Sequence, residues 1–135
     1  MSDTTPQMKL EVVLVPVADV DRAKEFYGER LGFNVDHDTR VSEQMRIVQL
    51  TPRGSACSVV IGSGLTEMPP GSLEGLQLVV RDIEEARNTL GDRGVASSEV
   101  ELVGPPDQDG SRFIRFSDPD GNRWAVQELR GSFAR

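Results

Sequence analysis

Few residues of this chain have the chemistry of metal ligands or acid–base catalysts. The only histidine, His37, lies between Asp36 and Asp38. An Asp-His-Asp run could bind a divalent ion, because imidazole and carboxylate groups are common metal ligands. Neighbouring side chains on a strand point to opposite faces, so His37 can share a site with both aspartates only where a bulge interrupts the strand. We therefore predict a solvated His37 rather than a metal site.

The single cysteine, Cys57, offers little further chemistry. One cysteine excludes an internal disulfide, a cysteine metal cage and a two-cysteine redox motif. No histidine or lysine stands near Cys57 in the sequence to activate its thiol, so we expect it to pack as a small apolar residue. The sequence also contains no glycine-rich phosphate loop and no Ser-His-Asp order.

Composition narrows the classes of partner. The 135 residues carry a formal net charge of −7, which disfavours binding to nucleic acid or to an anionic membrane. No apolar run approaches the ~18 residues that a membrane span requires, and the first seven residues are polar where a secretory signal is apolar. We expect one cytoplasmic domain over residues 1–135, with neither a nucleic-acid nor a membrane partner.

The first half of the chain predicts a strand, a capped helix and three further strands. Asp19 is suited to cap a helix, which Gly32 would end. Apolar residues recur at helical spacing between them, at Val20, Ala23, Phe26, Tyr27 and Leu31. The strands are predicted over Leu10–Val17, Phe33–Thr39, Met45–Leu50 and Cys57–Ile61.

The second half repeats this order after a glycine- and proline-rich linker. Leu76–Val80 predicts a strand, and Asp82 with Glu85 forms a capping box for a second helix. A weak strand signal follows at Ser98–Val103, and a loop at Gly104–Gly110. We predict module 1 over about residues 8–62, a linker over 63–74 and module 2 over about 75–129. The fold class is then α+β, with two βαβββ modules forming one curved mixed sheet around a cleft and helices on the outside.

The chain closes on a predicted hairpin. The runs Phe113–Ser117 and Arg123–Leu129 flank the turn Asp118-Pro119-Asp120-Gly121, in which proline and glycine favour a tight reversal. Together with Val-Ala-Asp at residues 17–19, Leu-Gly-Phe at 31–33 and Val-Arg-Asp at 80–82, this hairpin resembles the vicinal-oxygen-chelate superfamily over about residues 8–129. That superfamily includes glyoxalase I, bleomycin-resistance proteins and extradiol dioxygenases. The resemblance implies paired βαβββ modules and commonly a homodimer with ligand sites near its interface.

The resemblance also assigns four metal-ligand positions, and in this chain none of them is occupied by a residue that can coordinate a metal. In metal-dependent members, His or Glu side chains from the first and fourth strands of each module hold the ion. Carried over to this chain, those positions fall on Val12, Val60, Leu76 and Ala125. We therefore predict no metal and no other cofactor. Glu11 and Glu128 stand an odd number of residues from Val12 and Ala125, so they should face away from the cleft unless a strand is irregular.

Strand alternation gives a candidate ligand-binding surface. If Val12 and Ala125 face the cleft, as the resemblance implies, residues two apart from them share that face. Trp124 then lies on the opposite face and is expected to pack beneath a helix. The predicted ligand-binding residues are Val12, Leu14, Val60, Leu76, Leu78, Arg123, Ala125 and Gln127.

These features support three hypotheses. The first is a metal-free, homodimeric protein that sequesters an apolar or aromatic metabolite or antibiotic. The second is a lyase, isomerase or dioxygenase-like enzyme, either metal-independent or using relocated ligands such as Glu11, His37 and Glu128. The third is a dimeric scaffold whose cleft is filled by its own side chains. Metal analysis and a search for bound small molecules would separate them.

Overall fold

The computed structural model describes residues 4–104 and 112–129. Its elements follow the order β-α-β-β-β twice. Module 1 comprises β1 (Val12–Leu14), α1 (Val20–Glu25) with a π-helical turn (Phe26–Arg30), β2 (Asn34–Arg40), β3 (Arg46–Thr51) and β4 (Ser58–Ser63). Module 2 comprises β5 (Leu76–Val80), α2 (Ile83–Asp92), β6 (Glu101–Leu102), β7 (Arg112–Ser117) and β8 (Arg123–Glu128). Of the predicted loop Gly104–Gly110, only Gly104 lies within the described residues.

The predicted α+β class with two βαβββ modules is confirmed. The strands pair within their own module, so the mixed sheet consists of two open four-stranded sheets, one for each module. Sheet 1 has the order β1-β4-β3-β2 and sheet 2 the order β5-β8-β7-β6. In both sheets the first strand of the module pairs parallel with the fourth, and the remaining pairs are antiparallel.

The first strand is shorter than predicted. The sequence predicts a strand over Leu10–Val17, but β1 covers Val12–Leu14 and Leu10 is 70% exposed. The prediction was wrong because β1 is an edge strand with one partner, β4, which begins only at Ser58. Beyond Val15, Pro16 has no N–H to continue the ladder. An apolar run thus overstated the length of the strand.

The two helices begin and end alike, as the internal repeat predicts. Asp19 Oδ1 accepts a hydrogen bond from the backbone N–H of Arg22 at 3.1 Å. Asp82 Oδ1 accepts one from Glu85 at the same distance. After the helices, Gly32 and Gly94 have φ of +76° and +80°, the left-handed conformation that glycine adopts without strain.

One apolar core lies between the two modules. Tyr27, at the end of the first helix, is fully buried and packs against Phe33 of its own module and Trp124 of sheet 2. Phe26 beside it contacts Phe116 on β7. A helix of module 1 therefore packs on sheet 2, and the prediction that Trp124 packs beneath a helix is confirmed.

The closing turn fastens this core. The carboxylate of Asp118, 5% exposed, accepts hydrogen bonds from the backbone N–H groups of Asp120, Gly121 and Asn122. It also accepts from the Asn122 amide at 2.8 Å and from the Tyr27 hydroxyl at 2.6 Å. Asn122 in turn donates to the carbonyl of Pro16 at 2.8 Å. The turn that marks the family in the sequence is thus a structural connection between the modules.

Candidate functional site

Each sheet has a core face and a second face, and the candidate site lies on the second faces. In sheet 1, Val59 and Ile61 belong to the core, so Ser58 and Val60 point the other way. The parallel register sets Val12 beside Ser58 and Leu14 beside Val60. The structure therefore brings Val12, Leu14 and Val60 together on one apolar surface.

In sheet 2, Trp124 and Val126 belong to the core, so Arg123, Ala125 and Gln127 share the second face. Ala125 lies between Gln77 on β5 and Arg115 on β7. A hollow of about 730 Å³ opens here, with Gln77, Arg115, Ser117, Arg123 and Ala125 among its lining residues.

Leu76 and Leu78 require a correction. They were expected to face the cleft with Ala125, but the β5–β8 register sets them beside Trp124 and Val126. Both pack against the core, although Leu76 also borders the hollow at the end of its strand. Gln77 and Val79 lie on the face that was predicted for Leu76 and Leu78. The parallel pairing of β5 with β8 decides this face, and the sequence of β5 alone does not reveal it.

Polar side chains surround the hollow on sheet 2. Gln77 Nε2 donates to Gln127 Oε1 at 2.7 Å, which joins two amides across β5 and β8. The Arg115 guanidinium lies 5.8 Å from the ring centroid of Phe113 and donates to Glu101 at 3.1 Å. These groups offer hydrogen-bond donors and acceptors around an alanine, which leaves space for a ligand.

A second polar cluster on sheet 1 was not predicted. Asp36 accepts hydrogen bonds from the Thr51 hydroxyl, from Asn34 Nδ2 at 2.8 Å and from Gln49 Nε2 at 3.4 Å. Thr51 also shares a 2.6 Å hydrogen bond with Ser58, beside Val12. The Thr51 hydrogen bond, followed by that of Asn34, holds the pKa of the Asp36 carboxyl below its usual value. Asp36 thus supplies a fixed negative charge at the edge of the apolar surface.

A β-bulge places Asp36 on this face. The β2–β3 register shifts between Val35 and His37, so His37 lies opposite Gln49. The irregularity that an Asp-His-Asp metal site would need is present, and it sets both Asp36 and His37 on the side of Gln49. Asp38 instead binds Lys24 of α1 at 2.9 Å and Arg46 at 2.8 Å. His37 is exposed, as predicted.

The other carboxylates near the family's metal positions, Glu11 and Glu128, do not line the hollow at Ala125. Glu128 is 4% exposed on the core side, where its Oε2 accepts the backbone N–H of Ile83 at 2.9 Å at the start of α2. Glu11 is exposed and precedes β1. Cys57 is half-buried. Neither Glu11 nor Glu128 shares a surface with Ala125.

The residues at the family's metal positions do not fit a metal ion. Val12, Val60 and Ala125 present carbon atoms to the second faces, and Leu76 turns to the core. None has a lone pair to donate. Within residues 4–104 and 112–129, no three His, Cys, Asp or Glu side chains come together in a group that could hold a metal.

Two βαβββ modules with this pairing and this closing turn define the vicinal-oxygen-chelate fold, and the sequence agrees. The chain belongs to the Glyoxalase/Bleomycin resistance protein/Dioxygenase superfamily, whose family model matches residues 9–126. Among the described residues, no helix is long and apolar enough to cross a bilayer.

Three individual proteins resemble this chain over most of its length. The chain is 34% identical to TnmS3, an antibiotic binding protein from Streptomyces sp. CB03234, with a TM-score of 0.80 and coverage of 93% of this chain and 98% of that one. It is 36% identical to a glyoxalase/bleomycin resistance protein from the same organism, with a TM-score of 0.75 and coverage of 89% and 100%. It is also 27% identical to the uncharacterized protein YetH of Bacillus subtilis (strain 168), over 89% of this chain and 98% of YetH.

Proposed function

We propose that this protein binds an apolar or aromatic small molecule, such as an antibiotic, without metal and without converting it. The observation that carries the proposal is the set of side chains at the family's metal positions: valine at 12 and 60, leucine at 76 and alanine at 125. Apolar side chains beside a few amide and guanidinium groups are typical of a surface that holds an organic ligand. The description of TnmS3 as an antibiotic binding protein supports the same class of ligand.

We propose further that the binding cleft forms in a homodimer. Both core faces pack against the shared core, so the apolar surface of Val12, Leu14 and Val60 and the hollow at Ala125 lie on opposite sides of it. One wall from each of two chains would enclose a ligand that neither wall encloses alone. Isologous pairing would form two such clefts, since each chain contributes both kinds of wall.

The test combines oligomeric state, metal content and ligand binding. Protein purified without chelator is analysed for metals and sedimented at micromolar concentration. It is then screened by native mass spectrometry and calorimetry against polycyclic aromatic antibiotics. We expect a dimer, no stoichiometric metal and one ligand per chain recovered unchanged. A monomer that binds nothing, or a modified ligand, would contradict the proposal.

A matched pair of variants locates the site. Ala125→Trp fills the hollow on sheet 2 and should abolish binding, whereas Ala96→Trp places the same side chain at an exposed position outside both second faces. Equal affinities for the two variants would show that the ligand binds elsewhere.

A further inference from the structure

A second concave surface lies between the modules, on the core side of sheet 2 and apart from Ala125. One wall is formed by the loop Leu31–Phe33 and the turn at Pro52 and Arg53 of module 1. The other wall is a face of α2 that includes Ala86, Thr89 and Leu90. This inter-module groove has a volume of about 960 Å³, within the range of small-molecule sites.

The floor of the inter-module groove is apolar because α2 covers only part of sheet 2. The helix packs on β7 and β8, and the core-facing residues of β5, Leu78 and Val80, stay half-buried. Phe116 and Val126 complete the floor. These are the side chains that would hold the apolar body of a ligand, and all of them belong to one chain.

The rim of the groove is positive in a chain of negative net charge. Arg53, Arg81 and Arg93 lie along it, against the two carboxylates of Asp82 and Glu85. Asp82 already uses one oxygen to cap α2. In the part of the chain that the structure describes, neither Arg53 nor Arg93 forms an ion pair.

The two arginines stand on opposite walls. Arg53 comes from the β3–β4 turn of module 1, and Arg93 from the end of α2. The Arg93 guanidinium makes one long hydrogen bond, 3.4 Å, to the carbonyl of Arg30. Each has donors left for an anionic oxygen, and guanidinium groups bind carboxylates and sulfonates through paired hydrogen bonds.

We propose that the inter-module groove is a second ligand site, which binds an apolar organic anion such as an aromatic carboxylate or sulfonate. The apolar body lies on Leu78, Val80 and Leu90, and the anionic group meets Arg53 or Arg93 at the rim. A neutral molecule of the same shape binds less well, because it offers neither guanidinium group an anionic oxygen. The site needs no second chain, so it does not depend on the dimer cleft.

The probe is 8-anilinonaphthalene-1-sulfonate, an apolar anion whose fluorescence rises in an apolar site, titrated into the full chain. We expect saturable binding at one site per chain in the Ala125→Trp background, where the hollow on sheet 2 is filled. Arg53→Glu and Arg93→Glu should each weaken binding about tenfold, since a charge-assisted hydrogen bond is replaced by repulsion. The matched control is Arg40→Glu, which makes the same charge change at an exposed arginine of β2 that lines neither the groove nor the hollow, and it should leave the affinity unchanged.

Two further measurements address the apolar body and other occupants. Thr89→Trp places an indole on the α2 wall of the groove and should abolish binding, with the melting temperature checking that the variant folds. N-phenyl-1-naphthylamine, which lacks the sulfonate, should bind at least about tenfold more weakly. The proposal is overturned if the neutral probe binds equally well or if the Arg53 and Arg93 variants match the Arg40→Glu control. It is also overturned if saturation with the probe converts a dimer to monomers, because the groove would then be covered by a second chain.

Discussion

Replacing Tyr27 with phenylalanine should destabilise the fold, because it removes one oxygen atom that joins two buried groups. The Tyr27 hydroxyl donates to Asp118 Oδ2 at 2.6 Å and accepts from Trp124 Nε1 at 3.0 Å. Tyr27 is fully buried, and Trp124 and Asp118 are 3% and 5% exposed. Tyr27→Phe therefore leaves a buried indole N–H without its partner and removes one donor from a buried carboxylate, while the ring still fills its place.

The size of the effect follows from these two losses. A hydrogen bond to a charged group contributes about 1.5–3 kcal/mol, and a buried polar group left unsatisfied costs about 1–3 kcal/mol. The two do not add fully, because the same oxygen makes both contacts and Asp118 keeps its other donors. We expect the free energy of unfolding to fall by about 3 kcal/mol. At roughly 4 °C per kcal/mol for a chain of this length, the melting temperature should fall by roughly 12 °C.

Urea unfolding followed by circular dichroism and by fluorescence measures this change. Trp124 is the only tryptophan, so its emission reports directly on the region of the lost contact. The control is Asp120→Asn in the same turn, where the carboxylate accepts one 3.3 Å hydrogen bond from Ala18 and the loss should stay below about 1 kcal/mol. If Tyr27→Phe is no less stable than Asp120→Asn, the buried connection does not stabilise the pairing of the modules.

Three shorter predictions concern titration and the hollow. Burial, and then the carboxylate of Asp118, raise the pKa of Tyr27 well above its usual value of about 10. Absorbance at 295 nm should therefore show no tyrosinate while the fold persists, and stability should fall as pH rises above about 10. Hydrogen bonds from Arg46 and then Lys24 hold the pKa of Asp38 well below its usual value, so stability should fall as pH drops below about 4. In urea titrations, Asp38→Asn should be less stable at pH 7 and should lose part of that acid dependence. Ala125→Glu should change the melting temperature by less than about 3 °C, because the cross-strand guanidinium of Arg115 can pair with the new carboxylate. Calorimetry should nevertheless show weaker binding of any flat apolar ligand, and a large loss of stability would show that the position is dry and closed.

Local chemistry in the sequence predicted the parts of the fold that local chemistry controls. Asp19 and Asp82 cap helices because a side-chain oxygen three residues from a free N–H needs no distant partner. The closing turn formed where proline and glycine predicted it, between β7 and β8. Because these signals recur in the same order in both halves, the repeat of two βαβββ modules could be predicted from the sequence alone.

The errors arose where a distant strand decides the outcome. Which side of β5 faces the hollow depends on its register with β8, and that register turned Leu78 to the core and Gln77 to the second face. The bulge that brings Asp36 beside Thr51 depends likewise on the pairing of β2 with β3. The inter-module groove could not be predicted at all, because its two walls meet only after the modules pack together.

The two faces of sheet 2 explain how this chain keeps the family's signature without the family's metal ligands. Asp118 and Asn122, which make the signature recognisable, are buried on the core side and hold the modules together through Tyr27 and Pro16. Ala125, three residues after Asn122, points to the other face and makes no contact on which that connection depends. A substitution at position 125 therefore changes the chemistry of the hollow at little cost to the fold. For this reason the signature predicts how the chain folds, whereas the binding function we propose rests on the small and apolar side chains at the family's metal positions.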